Sequence, residues 1–256
     1  MRRARAPTPW PSSPRLATRG EADRRELWTE TAAAPPPVYG ERWRSVDGRS
    51  FRSFEPVRSK LSAGIVRGWD GPLPRPGERW LYLGAATGTT ASHVVDLVGP
   101  AGAVYAVERS VRPFARLLAL AERWEGLLPI LSDARDPEAY DALVPPIDGV
   151  YADVAQPDQV AIVERNAAHY LRGPGDAVLV ALKTASMGRG RTGPEHLKDA
   201  EQRLGHGLDL ERSVRLDPFH RGHYLVGGPA RRALFAAAPT PDAPRPPARL
   251  RVRRRP

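Results

Sequence analysis

The chain has 256 residues, 41% of them hydrophobic, enough for one main core and an appendage. It contains no apolar run of about 18 residues, the length a membrane-spanning helix needs, and its Arg-rich start lacks the apolar segment of a signal peptide. A soluble, cytoplasmic protein is expected. With no cysteine, disulfides and thiolate metal sites are excluded, and the six histidines lack metal-site spacing, so no metal is expected. The net charge of +10 is uneven: seven Arg against four acids in residues 1–36, and eight Arg against Asp242 alone in residues 229–256. Residues 37–228 are therefore neutral overall, and the basic excess sits in the tails.

The first 37 residues are rich in Arg, Pro, Ala and Ser, a composition that predicts a disordered tail. From Val38, the strand-like runs VYGERW and RSFRSF flank Asp47-Gly48, a hairpin turn dipeptide, and predict a small N-terminal hairpin domain over residues 38–57. From Arg79 onward short apolar runs alternate with helix-period segments. WLYLG, AVYAVE, LLPIL, IDGVYADV and DAVLVALK read as strands, with helices at 89–98, 110–124, 137–144 and 158–171. A Gly- and Arg-rich connection, SMGRGRTGPE, leads into a polar helix, and LDLERSVRL and HYLVG read as closing strands. The pattern predicts a doubly wound α/β domain with an antiparallel finish, and residues 229–256 read as a second tail.

YLGAATGTT, residues 82–90, is a buried strand running into a glycine turn and a helix that starts near Thr89. Gly84 and Gly88 let backbone approach a ligand, and the helix start offers unpaired N–H groups. Glu108 ends the next strand, where doubly wound nucleotide-binding folds place an acid on ribose hydroxyls. Ala86 stands where a dinucleotide fingerprint needs its second glycine, so an adenosyl ligand without pyrophosphate fits better; a turn needed only for packing is the alternative. Asp133, Ala134 and Asp153 follow further strands at their carboxyl ends, where ligands bind in open α/β sheets. Asp133 can equally be a helix cap. Lys183 closes an apolar strand one strand over from Asp153; it faces the same crevice or reaches to the sheet edge.

These residues carry a family resemblance. VYGER (38–42), RSKL (58–61), YLGAATGTTASHV (82–94), YAVE (105–108), DVAQPDQ (153–159) and HYLV (223–226) resemble, in order and spacing, the motifs of the fibrillarin family, particularly its archaeal RNA 2′-O-methyltransferases. The resemblance covers about residues 38–228. It implies a class I, Rossmann-like methyltransferase fold, with a seven-stranded doubly wound sheet whose last strand is antiparallel, behind the small hairpin domain. It implies S-adenosylmethionine as cofactor, contacted by Gly84, Ala85, Thr89, Thr90, Glu108, Arg109, Asp133, Ala134 and the stretch Asp153, Val154, Ala155, Gln156. It places the catalytic constellation on Lys60, Asp153, Lys183 and His223, two of which, Lys60 and His223, are not singled out by spacing. In that arrangement Asp153 holds Lys183, which orients or deprotonates a ribose hydroxyl, while Lys60 and His223 position ribose and phosphate. The implied partners are a box C/D-type guide RNA with target rRNA or tRNA, a coiled-coil scaffold protein and a kink-turn-binding protein.

The chain departs from the family at Arg109, where an aromatic residue usually lies beside the adenine, at Thr87, usually Ser, and in the composition of SMGRGRTG. The tails lack the Arg-Gly-Gly repeats of eukaryotic members, which points to the archaeal type. Two other functions compete: methyl transfer to a protein side chain such as glutamine, and a noncatalytic subunit. A nicotinamide oxidoreductase lacks its glycine spacing, and no G-x-S-x-G, H-E-x-x-H or Walker A pattern is present.

Overall fold

The structure, a computed structural model, describes residues 8–10, 13–19, 26–33, 36–188 and 190–236. Much of the expected leading tail is ordered in it. Strands β1 (Thr8–Trp10), β2 (Ser13–Arg19) and β3 (Glu26–Thr31) join β4 (Trp43–Val46) and β5 (Arg49–Ser53) in an antiparallel sheet of order β1-β2-β3-β5-β4. The expected hairpin is β4–β5, turned by Asp47 and Gly48 at φ 50° and 75°. Positive φ at both central residues matches the right-handed strand twist. Composition hid the first three strands because their few apolar residues are scattered among polar ones. Leu16, Leu27 and Trp28 are nonetheless buried, so β2 and β3 bury apolar surface that a disordered tail would leave in water.

The chain then forms α1 (Lys60–Val66), β6 (Arg79–Leu83), α2 (Thr89–Val98), β7 (Ala103–Glu108), α3 (Val111–Ala121) and β8 (Leu127–Leu131). After β9 (Gly149–Ala152) come α4 (Gln159–Tyr170), β10 (Ala177–Lys183), α5 (Gly193–Gly207), β11 (Arg212–Arg215), β12 (His223–Pro229) and α6 (Arg232–Ala236). The seven strands from β6 to β12 form one sheet of order β11-β12-β10-β9-β6-β7-β8, with β12 antiparallel to both neighbours. Its central strands β6, β9 and β10 read as apolar runs because both faces are covered. Trp80, Tyr82, Val104 and Leu179 point into one core, packed by α1, α2 and α3; Leu81, Leu83, Val150 and Val180 point into the other, packed by α4, α5 and α6. Pro129 is tolerated inside β8 because that strand lies at the sheet edge.

Three local expectations change. The segment expected to be helical over 137–144 makes only a 3₁₀ turn, Pro137–Tyr140, since Pro145 and Pro146 close off any longer helix. The expected closing tail begins too early: β12 runs to Pro229, and α6 buries Leu234 against α4 and α5. Residues 237–256, with most of the basic excess of that tail, lie outside the described residues, as do 1–7, 11–12, 20–25 and 34–35. Finally, α1 has no counterpart among the expected helices. It is one short helix capped by Ser59, and its Gly64 packs so closely on β12 that an added Cβ would meet Leu225 at 2.3 Å.

The small sheet is fastened to α2 by a buried polar network. Arg52 donates from Nε to Asp96 (2.6 Å), from Nη1 to Glu41 (3.0 Å) and from Nη2 to Ser92 (2.8 Å). The Thr29 hydroxyl meets both Asp96 (2.9 Å) and His93 (2.8 Å), and Phe54 stacks on the His93 ring. Burial holds the His93 imidazole well below its usual pKa, and the nearby Arg52 charge acts in the same direction. No helix among the described residues is long and apolar enough to cross a membrane.

Candidate active site

Strand order reverses beside β6, which runs first to β7 and β8 and is then flanked on its other side by β9. Open α/β sheets bind ligands at such a switch point, beyond the carboxyl ends of the strands. A cleft of about 280 Å³ opens there. Gly84, Glu108, Arg109, Asp133 and Ala134 line it from the ends of β6, β7 and β8, and the stretch from Asp153 to Gln156 lines it from the end of β9. Three residues expected to contact a cofactor do not line the cleft: Ala85, Thr89 and Thr90. Ala85 is buried in the turn, and the buried Thr90 hydroxyl bonds Ser59 at 3.0 Å, tying α2 to the cap of α1.

The floor of this cleft requires glycine. Gly84 sits at φ 78°, and an added Cβ would lie 2.7 Å from the Asp153 carbonyl oxygen. The close approach is held by Asp153 N donating to the Leu83 carbonyl (2.9 Å) and Gly84 N donating to the Val107 carbonyl (2.9 Å). Gly84→Ala should therefore destabilise the fold by about 1–3 kcal/mol through backbone strain alone. Thermal unfolding measures this, and an unchanged midpoint would contradict the close approach. Glu108, 8% exposed, accepts from Ala86 N (2.9 Å) and Ser110 N (2.7 Å), so one carboxylate braces the two loops on either side of the cleft. Ala86 itself is held at φ 49°, an uncommon conformation for a residue with a Cβ. Its N–H bond to Glu108 was not foreseeable from the sequence.

Beyond the Asp153 end of the cleft, charged groups from distant segments meet. Lys60 Nζ donates to Asp153 Oδ2 at 2.7 Å, with the two side chains 21% and 19% exposed. The expectation that Asp153 holds Lys183 is thus corrected: its lysine partner is Lys60, because Ser59 caps α1 where the first helical residue reaches the end of β9. Lys183 ends β10, directly opposite His223 in the antiparallel register with β12. Gln159, completely buried, clasps the Lys183 backbone by accepting from its N–H (2.9 Å) and donating to its carbonyl (3.1 Å). Among the described residues, the Lys183 amine has no hydrogen bond or ion pair. His223 feels both Lys60 and Asp153, and partial burial lowers its pKa.

Lys60, Asp153 and His223 therefore act on one another, and Lys183 is the register partner of His223 at the end of β10. Sequence reasoning missed two others. Gln159 was visible only as the last letter of DVAQPDQ. His220 had no signal at all: its ring lies 6.0 Å from that of His223, and its Nε2 bonds the Pro56 carbonyl at 2.8 Å.

The fibrillarin family model matches residues 16–232, most of the chain. The chain belongs to the fibrillarin family. A fibrillarin-like rRNA/tRNA 2′-O-methyltransferase of Aeropyrum pernix is 42% identical over 197 residues, 76% of this chain and 84% of that protein. A solved fibrillarin from Aeropyrum pernix, with natively bound S-adenosyl-L-methionine, superposes with TM-score 0.76 at 35% identity, covering 88% of this chain and 98% of that one. Fibrillarin solved in a complex with Nop5p gives TM-score 0.72 at 35% identity, covering 81% and 94%. The expected class I methyltransferase architecture is the one observed, with a larger N-terminal sheet than the hairpin alone. In this chain Arg109 forms an ion pair with Asp133 (3.5 Å). Arg135 reaches the same Asp133 (3.5 Å) and donates to Gln156 (2.9 Å), so polar side chains from three strand ends close this side of the cleft.

Proposed function

We propose that this chain transfers a methyl group from S-adenosylmethionine to the ribose 2′-hydroxyl of rRNA and tRNA, as the catalytic subunit of a box C/D-type ribonucleoprotein. The observation that carries this reading is the Lys60–Asp153 ion pair at the mouth of the glycine-floored cleft, with Lys183 and His223 on the same rim. A nucleoside cofactor fits the residues present. Gly84 leaves the floor open where a Cβ would not fit, and Glu108 keeps acceptor lone pairs for ribose hydroxyls after binding two backbone N–H groups. Asp133 and the Ala134 segment would hold the base, and Asp153 to Gln156 the amino-acid end. When bound, the cofactor supplies an electrophilic methyl group on a sulfonium.

The chain's own residues would do the rest by position and proton handling. Alignment of two reactants can contribute about 7–11 kcal/mol, and here the target ribose must be held against the rim. Lys60, fixed by Asp153, and the half-buried His223 would orient ribose and adjacent phosphate. Lys183, whose backbone is clamped and whose amine is uncommitted, would accept the hydroxyl proton. Because residues 37–228 are neutral overall and contain no base-reading module, target choice would come from a guide RNA, with a coiled-coil scaffold and a kink-turn-binding protein placing the duplex. The relative solved with Nop5p supports a scaffold partner of that kind. The test is reconstitution of the chain with a guide RNA and its protein partners, followed by mapping of labelled methyl. Label on the guide-specified ribose is expected; label in protein, or none, overturns the reading.

A further inference from the structure

Two loops outside the named strands lead into reaction-centre residues. One, residues 55–59, delivers Lys60; the other, residues 216–222, delivers His223. Each is internally turned: Ser59 N bonds the Glu55 carbonyl (3.1 Å), and His220 N bonds the Leu216 carbonyl (3.1 Å). What joins them is one side chain. His220 Nε2 lies 2.8 Å from the Pro56 carbonyl, across 164 residues of sequence. A carbonyl only accepts, so Nε2 carries the hydrogen. The Ser59 backbone also faces the ring, so His220 touches both ends of the segment that leads into Lys60. On its other side the ring faces His223 at 6.0 Å between centroids, tilted by 66°. Both Lys60 and Asp153 act electrostatically on His220 and on His223, which puts all four groups within one field.

We propose that His220 is a positioning residue of the methyl-transfer centre, pinning the β12 loop to the α1 approach so that His223 faces the Lys60–Asp153 pair. This rests on the function proposed above. While α1 packs on β12 through Gly64 and Leu225, the half-buried His220 ring spans the two loops themselves by its directed bond to the Pro56 oxygen. Losing the bond frees the two loops to part. Misplacement of reacting groups by about 1 Å can reduce rate about 100-fold while leaving the binding surfaces intact.

The test uses the reconstituted complex with the full chain. His220→Ala should lower single-turnover methylation about 100-fold, with the affinity for S-adenosylmethionine and the KM for target RNA changed by less than about threefold. His220→Gln carries an amide N–H at the same reach from the backbone and should restore the rate to within about threefold of wild type. If His220→Ala does not fold, His220→Asn replaces it, since its amide is one bond too short to reach Pro56. A wild-type rate in the variant lacking the bond overturns the proposal. So does a Gln variant as impaired as Ala, or a loss explained wholly by weaker cofactor binding. A wild-type complex that leaves ribose unmethylated overturns the functional reading itself, and this inference with it.

Discussion

Lys183→Ala in the reconstituted complex should reduce single-turnover ribose methylation by about 10²–10⁴-fold, the range that a positioned acid or base contributes. The reason is a division of labour between the two lysines of the rim. Lys60 is committed to Asp153 at 2.7 Å, so its amine is occupied by an ion pair. The Lys183 amine has no acid partner among the described residues, and Gln159 fixes its backbone from both sides. Affinity for S-adenosylmethionine should change by less than about threefold, because Lys183 does not line the cleft and the loss would fall on the chemical step. Lys183→Arg separates proton transfer from simple charge. Arginine keeps the positive charge but does not deprotonate in proteins, so it should be as inactive as alanine. Near-wild-type turnover in Lys183→Ala removes the assignment, and recovery in Lys183→Arg turns Lys183 into an electrostatic clamp.

Asp153 and Lys183 were legible in the sequence because the sheet that carries them is. A parallel strand buried on both faces must be apolar throughout, so a lone acid or lysine at its end stands out, as in GVYAD and AVLVALK. The same logic made Gly84, Glu108 and Asp133 visible at the ends of their strands, all of which line the cleft. Lys60 and His223 follow no such rule. Lys60 opens a seven-residue helix too short for a periodic signal, interrupted by Gly64 for contact with Leu225, and His223 lies where the chain enters a strand. Only the family resemblance named them.

The order of the first strands was illegible for a different reason. In α2, Ser92, His93 and Asp96 are the polar residues that an isolated amphipathic helix would turn to water. Here they are buried, since β2, β3 and β5 lie across them and supply Leu16, Thr29 and Arg52. A sequence cannot announce that its polar helix face is an interface unless the partner strands are recognised too. Those strands carry only one or two apolar residues among polar and charged ones, which average composition reads as a tail. His220 and Gln159 share this property at smaller scale, as each matters through one or two hydrogen bonds to backbone made across the fold.

That interface yields the largest expected change in stability. Arg52 is completely buried with Glu41 and Asp96, its guanidinium lying 4.8 Å from the Trp124 ring. Glu41 also accepts from Val38 N (3.0 Å) and Tyr39 N (2.9 Å), and Asp96 from Thr29 and Trp124. Arg52→Ala leaves two carboxylates buried without their cation, a change that destabilises by about 3–5 kcal/mol, a large share of the roughly 5–15 kcal/mol that keeps a domain folded. Arg52→Lys should recover only part of this, since an ammonium does not reproduce the fork that reaches Asp96, Glu41 and Ser92 together. Deleting residues 1–33 should also destabilise the domain, because it removes Thr29, Leu16 and Leu27 and exposes α2. Since α2 is capped by Gly88 of the glycine turn, the loosening should reach the cofactor cleft. A fixed concentration of S-adenosylmethionine should then raise the melting temperature of each variant by less than it raises wild type, because a weakened affinity lowers the stabilisation that the ligand adds. An Arg52→Ala protein within about 0.5 kcal/mol of wild type in denaturant unfolding, where surface substitutions fall, would mean that the small sheet does not support the catalytic domain.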